Sequence, residues 1–147
     1  MANTKIQSDR IDSSNRSSVI VGKSTPSQSI SGATYTKVTF NSETQDVRGE
    51  FSSNTFTADE DGVYLVHSSI MWSTSPPVVI NCIYKNGSAY KRTQRSHSSS
   101  YQNSRDCTAS VSLVAGDTIE VYVYVSSGTH TVWNDPTYTY LTVTRIS

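Results

Sequence analysis

The stretch FTADEDGVYLVHSSIMW, from Phe56 to Trp72, decides the fold class of this chain. Its acidic turn, Asp59 to Gly62, cannot continue a strand, and Gly62 offers a left-handed backbone conformation there. The β-branched, aromatic and aliphatic residues that follow have little polar relief before His67. This pattern predicts a long central strand that is covered on both faces. The rest of the chain must then supply the strands that enclose it.

Shorter segments of alternating apolar and polar residues flank this central strand, and no helical periodicity of useful length occurs. Pro76 and Pro77 end the central strand, because proline cannot donate to a ladder. Asn86-Gly87 predicts a tight hairpin turn. The pattern predicts an all-β, antiparallel β-sandwich over residues 33–147. The other predicted strands are Tyr35–Phe40, Val78–Tyr84, Ala89–Thr93, Cys107–Leu113, Thr118–Val125 and Tyr138–Ile146.

Residues 1–32 form a different zone, rich in Ser, Asn, Gln and Thr, with too few apolar residues to build a core. We interpret this zone as an extended N-terminal arm that attaches the protein to another protein's surface or sheet edge. A flexible leader without a role is the alternative. The apolar residues that would dock are Ile6, Ile11, Val19, Ile20 and Val21.

Composition excludes several classes of function. The formal net charge is zero, so the chain lacks the basic footprint of a nucleic-acid-binding protein. No apolar run approaches the roughly 20 residues that a membrane helix needs, and the first residues lack the apolar core of a secretory signal. The pattern around Cys82 and Cys107 predicts buried free thiols, with a cross-strand disulfide as the alternative.

No residue set predicts catalysis, a cofactor or a metal site. His67, His97 and His130 are far apart in sequence and accompany no nucleophile motif. The acidic turn at Asp59 could supply carboxylates to calcium, but such a site needs about six oxygens, and a solvated turn is the simpler interpretation. The Ser-rich segment Gln94–Asp106 predicts an exposed loop. Its candidate glycan- or anion-binding residues are Arg95, His97, Tyr101 and Arg105.

Several short motifs occur in an order and at spacings that are typical of a known superfamily. Phe56-x-Ala58 precedes Gly62-x-Tyr64-x-Val66, and Asn86-Gly87 follows. Next comes Leu113-x-x-Gly116-Asp117-x-Ile119-x-Val121. From about Tyr35 to Ile146 the chain thus resembles the superfamily of tumour necrosis factor and the complement globular head. The resemblance implies a ten-stranded jelly roll that assembles as a homotrimer. The first residues, Ala2 to Ser8, resemble the N-termini of bacteriophage tail and head-accessory proteins. The chain departs from the superfamily in having no collagen-like or coiled-coil stalk.

The tyrosine pattern adds a prediction about the trimer. In Thr118–Val125 and Tyr138–Ile146 the aliphatic residues can fill the core, which leaves the tyrosines on the other face. Tyrosine suits an interface because its ring is apolar and its hydroxyl can pair. The resemblance implies that both strands belong to an inner sheet lining the threefold axis. We therefore expect a single trimer interface of Tyr122, Tyr124, Tyr138 and Tyr140; tyrosines scattered on a wet sheet are the alternative.

These observations together predict a structural protein and not an enzyme. The expected function is a homotrimeric decoration or head-fibre protein of a phage or virus, located in the virion and attached to the major capsid or another virion protein through its N-terminal arm. The alternative is a tail-fibre or soluble recognition module that binds carbohydrate or a receptor through the Gln94–Asp106 loop.

Overall fold

The computed structural model describes residues 16–96 and 103–147, and these two ranges contain strands and turns but no helix. The thirteen strands are β1 (Ser18–Gly22), β2 (Gln28–Ser31), β3 (Thr36–Lys37), β4 (Ser42–Asp46), β5 (Phe51–Ser52), β6 (Thr55–Thr57), β7 (Gly62–Trp72), β8 (Val78–Lys85), β9 (Ser88–Ser96), β10 (Asn103–Leu113), β11 (Thr118–Val125), β12 (Thr129–Val132) and β13 (Tyr140–Arg145). The prediction of an all-β fold is confirmed.

The strands form two antiparallel sheets that face each other. The seven-stranded sheet has the order β2-β12-β7-β13-β1-β4, with β10 also paired to β7. The six-stranded sheet has the order β5-β6-β11-β8-β9, with β3 paired to β11. Between the described strands the chain crosses from one sheet to the other eight times, at β2–β3, β3–β4, β4–β5, β6–β7, β7–β8, β9–β10, β10–β11 and β11–β12. These crossings place the apolar faces of both sheets against one another, which is the layout of a jelly-roll sandwich.

Strand β7 is central, as the sequence predicts. Val66 lies opposite Val143 of β13 on one side and Ala109 of β10 on the other. The prediction that both faces of β7 are covered is wrong for the single chain, because Leu65 is 42% exposed. Only the inward face meets the second sheet, so the alternate residues of β7 form part of an outer surface.

The core lies between the sheets, and large side chains of β6 and β7 occupy it. Phe56 and Tyr64 meet edge to face with ring centroids 5.6 Å apart, and both are fully buried. The Tyr64 hydroxyl donates a hydrogen bond of 2.8 Å to the Glu60 carbonyl oxygen, so burying the ring leaves that polar group satisfied. Each such aromatic side chain contributes about 1.5–3 kcal/mol to folding through burial.

The predicted arm over residues 1–32 needs correction, because strands β1 and β2 are parts of the seven-stranded sheet. Strand β1 pairs with β13 and β4 on its two sides, and β2 pairs with β12. Val19, Val21 and Ile30 are buried in the core. Three apolar residues in a polar segment are too few to make a core, but they can complete one that other strands supply. Residues 1–15, with Ile6 and Ile11, lie outside the described residues, so an arm role remains a prediction for them alone.

Two turns show where the glycine predictions hold and where they fail. Asn86 and Gly87 both have positive φ, 50° and 74°, as the tight turn between β8 and β9 requires. Gly62 is not among the residues with positive φ, so the left-handed role assigned to it is wrong. Its lack of a side chain matters for another reason: a Cβ there would collide with the Ser147 carbonyl oxygen and the Arg145 side chain.

We predict that Gly32→Ala destabilises the fold. A Cβ at this position would lie 2.7 Å from both Cα and the carbonyl carbon of Ser127, where backbone atoms cannot yield as a flexible side chain would. Overpacking of this kind lowers the free energy of unfolding by about 1–3 kcal/mol. Urea unfolding followed by tryptophan fluorescence measures the change, and Ser31→Ala, at an exposed neighbouring position, is the control. An unchanged urea midpoint for Gly32→Ala would show that the backbone at Gly32 and the backbone at Ser127 can move apart with little loss of stability.

Candidate functional site

The four tyrosines of the predicted interface lie on two different sheets. Tyr122 and Tyr124 are on β11, which pairs with β8 in the six-stranded sheet. Tyr140 opens β13, which pairs with β7 in the seven-stranded sheet, and Tyr138 lies in the turn before it. The prediction that they share one face of neighbouring strands is therefore wrong. The alternation in β11 and β13 is alike, but long-range pairing assigns the two strands to opposite layers.

The outer face of the seven-stranded sheet is centred on His67. Its ring lies between two hydroxyls, with Nδ1 2.7 Å from Thr108 Oγ1 and Nε2 3.3 Å from the Tyr140 hydroxyl. Each hydroxyl can donate or accept, so either neutral tautomer of the histidine is satisfied. The His67 and Tyr140 rings are tilted at 43° with centroids 5.6 Å apart. These contacts fix the orientation of a histidine that lies on a sheet surface and not in the core.

Strand register extends this surface across four strands. Ile20, Thr142, His67 and Thr108 lie in one row, and a second row passes through Leu65. In these two rows no side chain is an acid or a permanently charged base, which is typical of an interface centre. The adjoining row runs from Tyr140 through Ser69 to the exposed Asp106. We call this surface the His67 face. It comprises Ser18, Ile20, Leu65, His67, Thr108, Ser110, Tyr140, Thr142 and Thr144.

Strand β9 forms an unusually open edge. All nine of its residues are exposed, and within the described ranges it pairs only with β8. Tyr90 is 47% exposed, and its hydroxyl donates to the Ser110 carbonyl oxygen at 3.2 Å. Lys91, Arg92 and Arg95 take part in none of the ion pairs found in residues 16–96 and 103–147. Such cations protect an edge strand from uncontrolled pairing with other strands.

A cluster of aromatic side chains covers the outer face of the six-stranded sheet. Tyr84 and Tyr122 stack with ring centroids 4.1 Å apart and planes inclined by 29°. Tyr35 adjoins them at 5.1 Å from Tyr124 and 6.3 Å from Tyr84. The Arg92 guanidinium carbon lies 6.0 Å from the centre of the Tyr35 ring. We call Tyr35, Tyr84, Arg92, Tyr122 and Tyr124 the tyrosine platform.

Sequence reasoning missed Tyr35, Tyr84 and Arg92 as members of this cluster. The available signal was the alternation in β8, where Ile80, Cys82 and Tyr84 share one face. Pairing that face with the tyrosines of β11 requires knowing that β8 and β11 are neighbours. The register sets Tyr122 opposite Cys82 and Glu120 opposite Tyr84, and no local sequence pattern encodes that match.

The predicted ligand-binding loop is shorter than expected. Arg95 lies in β9 and Arg105 in β10, so both are strand residues. The Arg105 carbonyl oxygen accepts a hydrogen bond of 2.8 Å from Asn81 Nδ2, and burial lowers the pKa of its guanidinium. This backbone pairing makes Arg105 part of the sandwich and not of a mobile rim. His97 and Tyr101 lie outside the described residues, and their ligand role remains a prediction.

Both cysteines are free and buried, as the alternation predicts, and the disulfide alternative is wrong. Cys107 faces the core. Cys82 is on the six-stranded sheet, on the face that points away from the core, and lies beneath the tyrosine platform. Burial raises the pKa of the Cys82 thiol to about 11, despite the nearby positive charge of Arg92. Its thiolate population at neutral pH is therefore small, so Cys82 is a packing residue and not a nucleophile.

Two arginine side chains form ion pairs with the carboxylates of the acidic turn. Arg48 contacts Glu60 at 2.7 Å and Asp59 at 3.5 Å, and Arg145 pairs with the second oxygen of Glu60. The hydrogen bond from Arg48 lowers the pKa of the Glu60 carboxyl. Asp61 accepts a hydrogen bond from the Ala115 backbone. In the part of the chain that the structure describes, no three acidic, histidine or cysteine side chains are grouped as metal ligands.

The same part of the chain contains no helix with the length and apolarity needed to cross a membrane. No family model matches the sequence, and no curated protein matches it. Solved structures do match its fold. An Eiger TNF from S. frugiperda aligns with a TM-score of 0.72 at 15% identity, covering 90% of this chain and 93% of the other.

The fold is a tumour-necrosis-factor-like jelly roll. Murine APRIL at pH 5.0 aligns with a TM-score of 0.71 at 19% identity over 89% of this chain and 99% of its own. The globular domain of zebrafish complement 1qA aligns with a TM-score of 0.68 at 14% identity, over 90% and 98% respectively. These structures have the jelly-roll fold that the motif order predicts. At this level of identity the similarity establishes the fold alone.

Proposed function

We propose that this protein is a non-catalytic structural module that assembles as a homotrimer, with the His67 face of one protomer packed against the β9 edge of the next. The observation that carries the proposal is that one small domain has two exposed surfaces of different character. The His67 face is broad and uncharged, whereas β9 is exposed along its whole length. The similarity to tumour necrosis factor and complement jelly rolls supports assembly as a trimer.

Two different surfaces favour a ring over a simple dimer. A twofold dimer joins one patch to a copy of itself, whereas a head-to-tail contact joins two different patches and closes when the rotation divides a full turn. The side chains on the two surfaces suit each other. Leu65 and Ile20 on the face supply apolar contact, and Tyr90 and Arg95 on the edge are of the types enriched in protein interfaces.

The biological setting that we propose is the virion, assembled in the host cytoplasm, where the trimer decorates a capsid or forms a short fibre. Attachment through residues 1–15 fits this role, because Ile6 and Ile11 lie in a polar segment that precedes the first strand. The neutral and weakly charged composition suits a surface component of a larger particle. Recognition of a receptor or carbohydrate through residues 94–106 is the second role to test.

The mass of the native full-length protein tests the trimer first. We expect native mass spectrometry in mild buffer to show a dominant species of three chains. Sedimentation equilibrium at several concentrations then shows whether the species persists on dilution. A monomer at all concentrations would overturn the trimer and leave the His67 face as a surface for a different protein. Such a result would not bear on the tyrosine platform, which belongs to the other sheet.

A further inference from the structure

The tyrosine platform is a partly exposed cluster on the face of the six-stranded sheet that points away from the core. The core-facing residues of the same strands, Ile83, Val121 and Val123, are fully or almost fully buried on the opposite side of the sheet. The platform tyrosines are each only partly buried. Within residues 16–96 and 103–147 their hydroxyls make no hydrogen bond to protein. Four aromatic rings with free hydroxyls, held against one another on a flat sheet, form an amphipathic binding surface.

The charged side chains of the platform indicate whether its ligand is an anion or a cation. Arg92 is exposed and takes part in none of the ion pairs of the described residues, so its guanidinium is available to an anion. The adjoining carboxylate of Glu120 is neutralised by Lys37 at 2.6 Å. Lys91 and Arg95 are register partners of the core-facing Ile83 and Val79, so they lie on the other side of β9. Among the described residues, Arg92 therefore supplies the charge of the platform that lies outside an ion pair, and a guanidinium pairs with an oxyanion such as a carboxylate in two-point geometry.

We propose that the tyrosine platform binds an acidic oligosaccharide, one that contains uronic acid or a similar carboxylated sugar. The C–H faces of pyranose rings stack on tyrosine rings, sugar hydroxyls pair with the tyrosine hydroxyls, and the sugar carboxylate pairs with Arg92. The tyrosines of this site are on the sheet opposite the His67 face, and Arg92 is opposite Cys82 on the platform side of β9. The site is also distinct from the predicted loop site, of which Arg105 belongs to the other sheet.

Other partners fit this face less well. An added peptide strand needs unpaired backbone groups, but β8 is paired on both sides, by β11 and β9. An apolar helix needs a hydrophobic groove, whereas this surface is built from hydroxyl-bearing rings. A single-stranded nucleic acid also stacks on aromatic rings, but it needs a line of cations along its phosphates. Of the residues that the structure describes, only Arg92 gives this face a cation outside the ion pairs, and the net charge of the chain is zero.

Titration calorimetry with a short oligogalacturonate tests the proposal on the full-length protein. We expect saturable binding that Arg92→Gln and Tyr122→Ala each weaken by at least about tenfold, corresponding to loss of one ion pair or one stacked ring. Arg92 is exposed on an edge strand, so its substitution leaves the core intact even if Tyr122→Ala disturbs the sheet. Tyr138→Ala, at a tyrosine 52% exposed beside the other sheet, is the matched control and should bind normally.

Four results would overturn the assignment. The first is no saturable binding of oligogalacturonate by the wild-type protein. The second is binding that neither Arg92→Gln nor Tyr122→Ala weakens. The third is equal affinity for a neutral galactan oligosaccharide of the same length, which would remove the carboxylate contact. The fourth is tighter binding of oligothymidylate or oligoglutamate, which would show that the platform recognises a different polyanion.

Discussion

Deleting Met1 to Ser31 is expected to abolish folding. The deletion removes β1 and β2, and with β1 goes the strand that joins β13 to β4. It also removes three core side chains, Val19, Val21 and Ile30, that are at most 2% exposed. At about 1.5–3 kcal/mol for each buried aliphatic side chain, their loss amounts to roughly 5–9 kcal/mol, which is comparable to the whole stability of a typical domain.

Far-ultraviolet circular dichroism and thermal unfolding measure this effect. The matched control is deletion of residues 1–15 alone, which leaves every described strand and the hydrogen bond from Ser17 to Glu50 in place. We expect this shorter deletion to unfold with an unchanged midpoint. If the arm docks the protein on particles, the same variant should fail to co-sediment with them. Cooperative unfolding after removal of Met1–Ser31 would show that the remaining strands form a stable sandwich without β1.

Replacement of Leu65 by lysine is expected to dissociate the trimer. Leu65 is 42% exposed in the single chain, so an ammonium group there is hydrated and changes the stability of the protomer little. Inside the proposed interface, the same cation would be desolvated beside Thr144 and Ser110 and would face a β9 edge that presents Lys91 and Arg95. Burying an unpaired charge costs several kcal/mol, which raises the dissociation constant by more than about a hundredfold.

Sedimentation and native mass measure the oligomeric state of this variant. Val114→Lys is the control, because Val114 is 56% exposed in the turn between β10 and β11, away from the His67 face. Tyr124→Ser should also remain trimeric, since Tyr124 belongs to the other sheet. A Leu65→Lys protein of trimer mass would place the subunit contact elsewhere. If Tyr124→Ser dissociates the trimer, the tyrosine platform and not the His67 face contains the subunit interface.

The corrections share a cause that particular residues make clear. The alternation in β11 correctly separates Val121 and Val123, which are buried, from Tyr122 and Tyr124, which are not. That separation is local, because successive side chains of a strand project to opposite faces. It does not say which sheet contains the strand. The sequence pattern therefore predicts one surface for the tyrosines of β11 and β13, but they lie on two separate surfaces, one on each sheet.

The N-terminal segment shows the same limit in another form. Val19, Ile20 and Val21 stand in a polar stretch, and composition alone favours disorder there. The structure buries Val19 and Val21 because β13 and β4 supply the backbone partners and the second sheet supplies the apolar cover. Ile20, between them, lies on the His67 face. A window of local sequence cannot contain partners that are over one hundred residues away.

The sequence by itself therefore determined the all-β class, the central strand at β7, the Asn86-Gly87 hairpin and the inward or outward direction of most strand residues. These depend on propensity and on a period of two, which are properties of neighbouring residues. Tertiary structure alone decided the assignment of β11 and β13 to opposite sheets, the incorporation of β1 and the assembly of Tyr35, Tyr84 and Arg92 with the tyrosines of β11. Those features depend on hydrogen-bond pairing between distant strands, whose register is selected by the packing of the whole core.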